Sequence, residues 1–231
     1  MSLRNCSSLV LLLEVLAPFR HGAGQESLCP PLDTAATWAR ANGAWSDETR
    51  LRWSNDSLRR VLLTLRDRDQ APRAEFGARV GDTLYGRQLI SLDSSLTAEM
   101  GVILDSFGLP TRSMVGAAGS DAAMLVVQHS PSLQERVLAL AKAMPPGQIS
   151  PEKLAMLEDR VLVHKGKPQR FGTQFIAGPD GVFRFAPVSE TASLDARRSA
   201  AGIPPLRQYV CLLEEAGMRV DRGSLPPIFR P

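Results

Sequence analysis

At 231 residues the chain can bury one sizeable core, and a single domain is the expectation. Its content of 44% hydrophobic and 22% charged residues excludes wholesale disorder. A formal charge of +3, with basic residues scattered among acidic ones, and only 6% aromatic residues give neither the basic stripe nor the stacking platform that nucleic-acid binding needs.

The N-terminus reads as a signal peptide over residues 1–24. Arg4 supplies a basic start, Leu9–Phe19 an apolar run, and Gly22-Ala23-Gly24 a small-residue cleavage site. Glu14 is a charge in the apolar run, and the competing reading is an amphipathic or buried N-terminal helix. Export implies a periplasmic or secreted protein; without it the protein is cytoplasmic. The run is too short to span a membrane, so no stable membrane insertion is expected after cleavage. Loss of the leader removes Cys6 and leaves Cys29 and Cys211, either joined as one disulfide or unpaired and buried. Residues 25–53 form a lead-in, extended at Cys29-Pro30-Pro31, with a short helix around Thr34–Ala41. Residues 54–231 then form a single helical globular domain.

The first strong helix opens near Ser54–Ser57 and sets Leu58, Val61, Leu62 and Leu65 on one face. Steps of four along that face reach Asp69 and Arg73, with Pro72 bending or ending the helix. A second helix starts at Asp93 or Ser94, presents Leu96, Met100, Ile103, Leu104 and Phe107, and stops at Gly108 and Pro110. After a loop at Gly116-Ala117-Ala118-Gly119, a third begins at Ser120 or Asp121 and ends at Gln128-His129. A fourth covers Ser132 to Met144, with Leu133, Val137, Leu140 and Met144 inward. A fifth opens at Ser150-Pro151 and buries Leu154, Leu157 and Val161. The period then changes: Gln169–Phe175 and Val182–Phe185 flank Gly178-Pro179-Asp180-Gly181, the signature of a β-hairpin. Helices at Ser193–Ala201 and Pro205–Ala216 precede a proline-rich tail. The fold class is mainly α (α+β), a helical domain with a small β-hairpin near residues 169–185.

Four polar motifs interrupt or extend apolar faces: Asp69-Gln70 with Arg73, Gln128-His129, Asp159-Arg160, and Gln169–Gln174. Buried charges and amides need partners, so these groups either satisfy one another or face a shared cleft.

From Asp69 to Tyr209 the chain resembles a bacterial domain-of-unknown-function family, number six-six-two-four. The resemblance rests on those motifs together with Gly108-Leu109-Pro110-Thr111 and Val115-Gly116. It continues in Leu154-Ala155, in Arg197-Arg198, and in Gly202-Ile203-Pro204-Pro205-Leu206 with Tyr209. Departures fall at Phe171, where the pattern has Tyr, at Leu109, where it has Trp, and at Ser130 after the histidine. The resemblance implies a shared fold and polar site, and no established activity.

Within that site His129 is the candidate acid–base group, with Asp69 or Asp159 orienting the ring. The bland reading is a histidine capping helix carbonyls. Arg73 and Arg160 offer planar forks for an anion, or form internal salt bridges with the acids beside them. Gln70, Gln128, Gln169, Thr173 and Gln174 either line a ligand site or tie a helix to the hairpin. A metal would require His129, His164 and Asp159 to converge, without ligand spacing in the sequence, so no metal and no cofactor are expected. No nucleophile elbow, phosphate loop or dinucleotide fingerprint occurs. The leading reading is an extracytoplasmic hydrolase or group-transfer enzyme for a small polar or anionic ligand. The alternative is a non-catalytic binding or interaction protein, of envelope or immunity type, whose polar cluster is structural; no nucleic acid is expected as partner, and a protein partner is undefined.

Overall fold

In the computed structural model, which describes residues 37–49, 52–75, 79 and 81–229, the chain is mainly helical with one small sheet late in the sequence. Residues 1–24, expected as a signal peptide, and Cys29 lie outside the described residues. No helix among the described residues is long and apolar enough to cross a membrane.

Helix α1 (Thr37–Ser46) extends beyond the Ala41 end of the lead-in helix expected around Thr34–Ala41, whose first three residues lie outside the described residues. Helix α2 (Asp56–Arg73) opens on Asn55, whose side chain accepts the Leu58 N–H at 2.9 Å. Leu58, Leu62, Leu65, Asp69 and Arg73 form its buried stripe, while Val61, assigned to that stripe above, is half exposed. The helix ends at Arg73, one residue past Pro72, in keeping with the expectation that Pro72 bends or ends it there. The proline sits in the last turn, and the Tyr85 hydroxyl donates to its carbonyl at 2.5 Å.

Helix α3 (Thr83–Phe107) starts ten residues before the expected position, capped by Asp82, which accepts the N–H groups of Leu84 and Tyr85. Its apolar period looks broken in sequence because its two halves serve different cores. Tyr85 and Leu89 pack with the sheet, whereas Leu96, Met100, Ile103 and Leu104 pack with the other helices. Phe107, expected inward, is half exposed at the final residue.

The Gly116–Gly119 stretch, expected as a loop, belongs to helix α4 (Arg112–Gln128). Only Gly116, at φ 72°, departs from helical geometry and kinks it. There the Glu48 carboxylate accepts from Arg59 and from the Ala118 N–H, so a lead-in residue caps the long segment beyond the kink. Nearby, Trp45 donates to Asp121 at 2.9 Å. Helices α5 (Pro131–Ala143) and α6 (Pro151–His164) follow, the second with Ser150 as cap and proline at its start.

Strands β1 (Phe175–Ala177) and β2 (Val182–Phe185) pair antiparallel, as the turn chemistry requires. The hairpin is shorter than expected, because Gln169–Gln174 forms an irregular loop with one isolated bridge from Gln169 to Val188. Helices α7 (Leu194–Ala200) and α8 (Leu206–Glu215) lead to β3 (Arg219–Asp221), which adds parallel to β2 from within the tail. Cys211, on α8, is disulfide-bonded. Among the described residues two large apolar clusters result, with a small third of Ala155, Ala201 and Ile203. One large cluster joins α2 to α6 around Leu62, Met100, Val127 and Leu157; the other joins sheet and α8 around Phe175, Phe183 and Leu206.

Candidate functional site

The polar motifs separate into two groups, to which α6 contributes Arg160 and Asp159 respectively. The first gathers where the end of α2, the middle of α3 and the end of α4 meet. Asp69 is fully buried on the α2 stripe, and Arg73, one turn on, grips it through Nε at 3.2 Å and Nη2 at 3.0 Å. Gln70 Nε2 donates to Asp69 Oδ2 at 2.8 Å. His129, which caps α4, sets Nδ1 at 2.9 Å from Asp69 Oδ1 and 3.1 Å from Oδ2. Arg73 also pairs with Asp93 of α3, a residue the sequence reading used only as a helix start. The chain of contacts therefore runs Asp93–Arg73–Asp69–His129.

Charge states follow from these contacts. Burial pushes the Asp69 pKa up, but the hydrogen bonds and charges of His129 and Arg73 outweigh it and hold the value at about 2. Burial pushes the His129 imidazole down, opposed by Asp69 and reinforced by the positive charges of Arg73 and Arg160. At pH 7, where the lowered pKa leaves the ring neutral beside an ionised Asp69, Nδ1 is the protonated nitrogen and Nδ1–H donates to the carboxylate; the ring's charge acts on Asp69 only at lower pH. Nε2 is then an acceptor; it is buried and has no hydrogen-bond partner among the described residues. Asp93 shifts the other way, raised by burial against the pull of Arg73, and its side chain is one-quarter exposed.

Arg160 belongs to this group too. It is buried on α6, its pKa lowered to about 10 by burial, and it interacts electrostatically with Tyr209, Arg73 and Asp93. It therefore keeps its charge at neutral pH. Gln128, which precedes His129 in the chain, is 1% exposed, and neither of its amide atoms has a hydrogen-bond partner among the described residues.

The second group is a clasp between α6 and the hairpin loop. Asp159 receives the backbone N–H groups of Arg170 at 2.6 Å, Phe171 at 2.9 Å and Thr173 at 3.0 Å, and the Thr173 hydroxyl at 2.9 Å. Burial nonetheless pushes its pKa up, with these donors pulling it down. Gln169 bridges the loop through the carbonyls of Gln174 and Ala186, and its Oε1 accepts the Gln174 N–H at 2.8 Å. Gln174 Nε2 donates to Thr173 Oγ1 at 3.0 Å. Gly172, at φ 68°, packs against the Phe185 ring, which a Cβ would crowd at 3.0 Å. Fully buried Arg198 donates to the carbonyls of Phe171, Gly172 and Pro204.

Of the two carboxylates considered for His129, Asp69 orients the ring, and Asp159 is occupied by the loop. The set weighed for a metal does not assemble, since His164 is exposed at the end of α6. Ligand atoms converge instead at Asp69, Asp93 and His129, within 4.8 Å of one another. Arg73 bonds to both carboxylates there, so a cation could enter only by displacing the guanidinium.

A family of unknown function, DUF6624, matches residues 56–221, in agreement with the resemblance drawn from the motifs. No curated protein and no solved structure matches the chain.

Proposed function

Since the chain belongs to that family, whose function is unknown, its activity has to be argued from the site, and we propose that His129 is the acid–base group of an exported hydrolase or group-transfer enzyme acting on a small polar or anionic ligand. The observation that carries this reading is the ring itself. Asp69 takes Nδ1–H, and the buried Nε2 of an imidazole that is neutral at pH 7 has no partner among the described residues.

Such a ring accepts a proton at Nε2 from a water or hydroxyl nucleophile as it attacks. The ionised Asp69 stabilises the imidazolium so formed, and the imidazolium returns the proton to the leaving group. Arg73 is held rigid between two carboxylates, and Arg160 adds a second positive charge felt at the ring. Both favour negative charge developing on the substrate. Export is supported by the disulfide at Cys211, a bond typical of oxidising compartments. The structural alternative draws support from Asp159, Gln169 and Thr173, whose partners all lie in the clasp. Those residues are separate from the contacts that hold His129.

The experiment is hydrolysis of chromogenic carboxylic esters, phosphate esters and anilides by the wild type and by His129→Gln, with circular dichroism to verify the fold. Turnover that disappears in a folded His129→Gln supports the assignment. Turnover that survives the substitution, or a complete absence of turnover, removes it.

A further inference from the structure

Helix α3 turns Tyr85, Leu89, Leu96, Met100, Ile103 and Leu104 inward, yet it also carries four of the six large apolar side chains exposed among the described residues: Leu84, Ile90, Val102 and Phe107. Apolar side chains gathered on the outside of one element mark an interaction surface. The outer stripe of the helix reads Arg87, Ser91, Ser94, Ala98, Gly101 and Asp105, spaced alternately by four and three and so aligned over about five turns. All are exposed except Gly101, which is partly so. A Cβ added at Gly101 meets nothing within 4 Å, so no contact inside the chain requires glycine there. Glycine in mid-helix nonetheless weakens folding by roughly fivefold relative to alanine. What it does at this position is lower the outer surface of α3.

We infer that this face is a homodimer interface, on which a second copy of the chain lays its own α3 antiparallel. The occupant follows from the order of the stripe. Its spacing of four, three, four, three, four is the same from either end, so a copy related by a two-fold axis stays in register. Arg87 then meets Asp105 of the second copy, Ser91 meets its Gly101, and Ser94 meets its Ala98. Arg87 makes no ion pair among the described residues, and Asp105, though held by Arg136 at 2.8 Å, keeps a side chain that is 70% exposed. Opposite charges at the two ends of one stripe make it complementary to itself only when reversed; a parallel copy would set like charges together. The small residues between them let the two helices approach closely. Ile90 and Val102 flank the seam on its two sides, with Leu84 and Phe107 toward its ends. Asp93, the α3 residue in contact with Arg73, lies off the stripe, so the pairing is independent of the chemistry at His129.

Sedimentation equilibrium of the full chain from roughly 1 to 200 μM, with circular dichroism to verify the fold, tests this. A dimer is expected. Ala98→Glu places like charges on both sides of the two-fold axis at an exposed position, and should weaken association at least about tenfold while the monomer stays folded. Gly101→Leu thickens the same stripe and serves where Ala98→Glu folds poorly. Arg87→Glu and Asp105→Arg should each weaken the dimer several-fold, and the two together should restore it, because the pair is exchanged across the seam. A monomer at every concentration overturns the inference and gives the face to a different protein. A dimer indifferent to both Ala98→Glu and Gly101→Leu overturns it by placing the contact elsewhere. Association lost in the single charge reversals and still absent in the double reversal overturns the antiparallel pairing.

Discussion

Replacing Asp69 by asparagine keeps the shape of the side chain and removes its charge, and the structure sets the size of the effect. The Asp69 pKa falls from 3.8 to about 2 on folding, which at 1.36 kcal/mol per unit is about 2 kcal/mol of stability at neutral pH. The neutral amide would also leave the buried Arg73 with Asp93 as its remaining carboxylate, and breaking such a pair adds to the loss. A total of roughly 2–4 kcal/mol corresponds to a Tm lower by about 5–15 °C for a chain of this size. The folded value lies below the unfolded one, so the stabilisation is full above about pH 4 and fades as pH falls toward 2. Urea unfolding of wild type and Asp69→Asn at pH 7, 5 and 3 checks this: the ionisation part of the gap should be unchanged at pH 5 and reduced to about half by pH 3. A gap that stays constant down to pH 3, or that never appears, refutes the account of Asp69 as an ionised hub.

His129 should lower stability on acidification, since its folded pKa is pushed below the ordinary 6.5 and the unfolded chain takes up a proton that the folded ring resists. Between pH 7 and 5 the wild-type Tm should therefore fall more steeply than that of His129→Gln, and nitrogen NMR of the ring should show Nδ1 protonated and Nε2 bare at pH 7. Asp159→Ala strands the N–H groups of Arg170, Phe171 and Thr173 and should cost about 2–4 kcal/mol in urea unfolding. Amide exchange should then accelerate at residues 170–174 while the His129 ring signals stay put; movement of those signals would contradict the division into site and clasp. Gly116→Ala places a methyl against Arg59 Nη1 and Glu48 Oε1 at a positive φ, so the Tm should drop by the equivalent of about 1–3 kcal/mol.

Asp69 and Arg73 were legible in the sequence because they continue the spacing of Leu58, Leu62 and Leu65, and a charge on an apolar stripe has to meet a partner. Asp93 carries the same signal: it precedes Leu96, Met100 and Ile103 on the buried face of α3. It was hidden because an aspartate at an apparent helix start reads as a cap, whereas the cap is Asp82, eleven residues earlier. Gly116 was misread for a related reason. A glycine pair suggests a loop, but here one glycine makes room for Glu48 while the helix resumes behind it. The division of the polar residues into two groups left no trace in the sequence. Asp69 meets His129 across 60 positions, and nothing local states that Asp159 turns instead to the loop eleven to fourteen residues ahead. Strand β3 is three residues long and gains its identity only from pairing with β2.

The kinked α4 makes a mechanical connection between the lead-in segment and the imidazole. From Ala117 to Gln128 it is a rod of about 18 Å, pinned at one end by Glu48 and Arg59 and carrying His129 at the other. A tilt of ~3° about the pinned end would sweep the ring through about 1 Å, a displacement on the scale that can cost a reaction on the order of a hundredfold. Glu48 and Gly116 are thus a pivot for His129, and substitutions there would act as leverage on a ring they never touch.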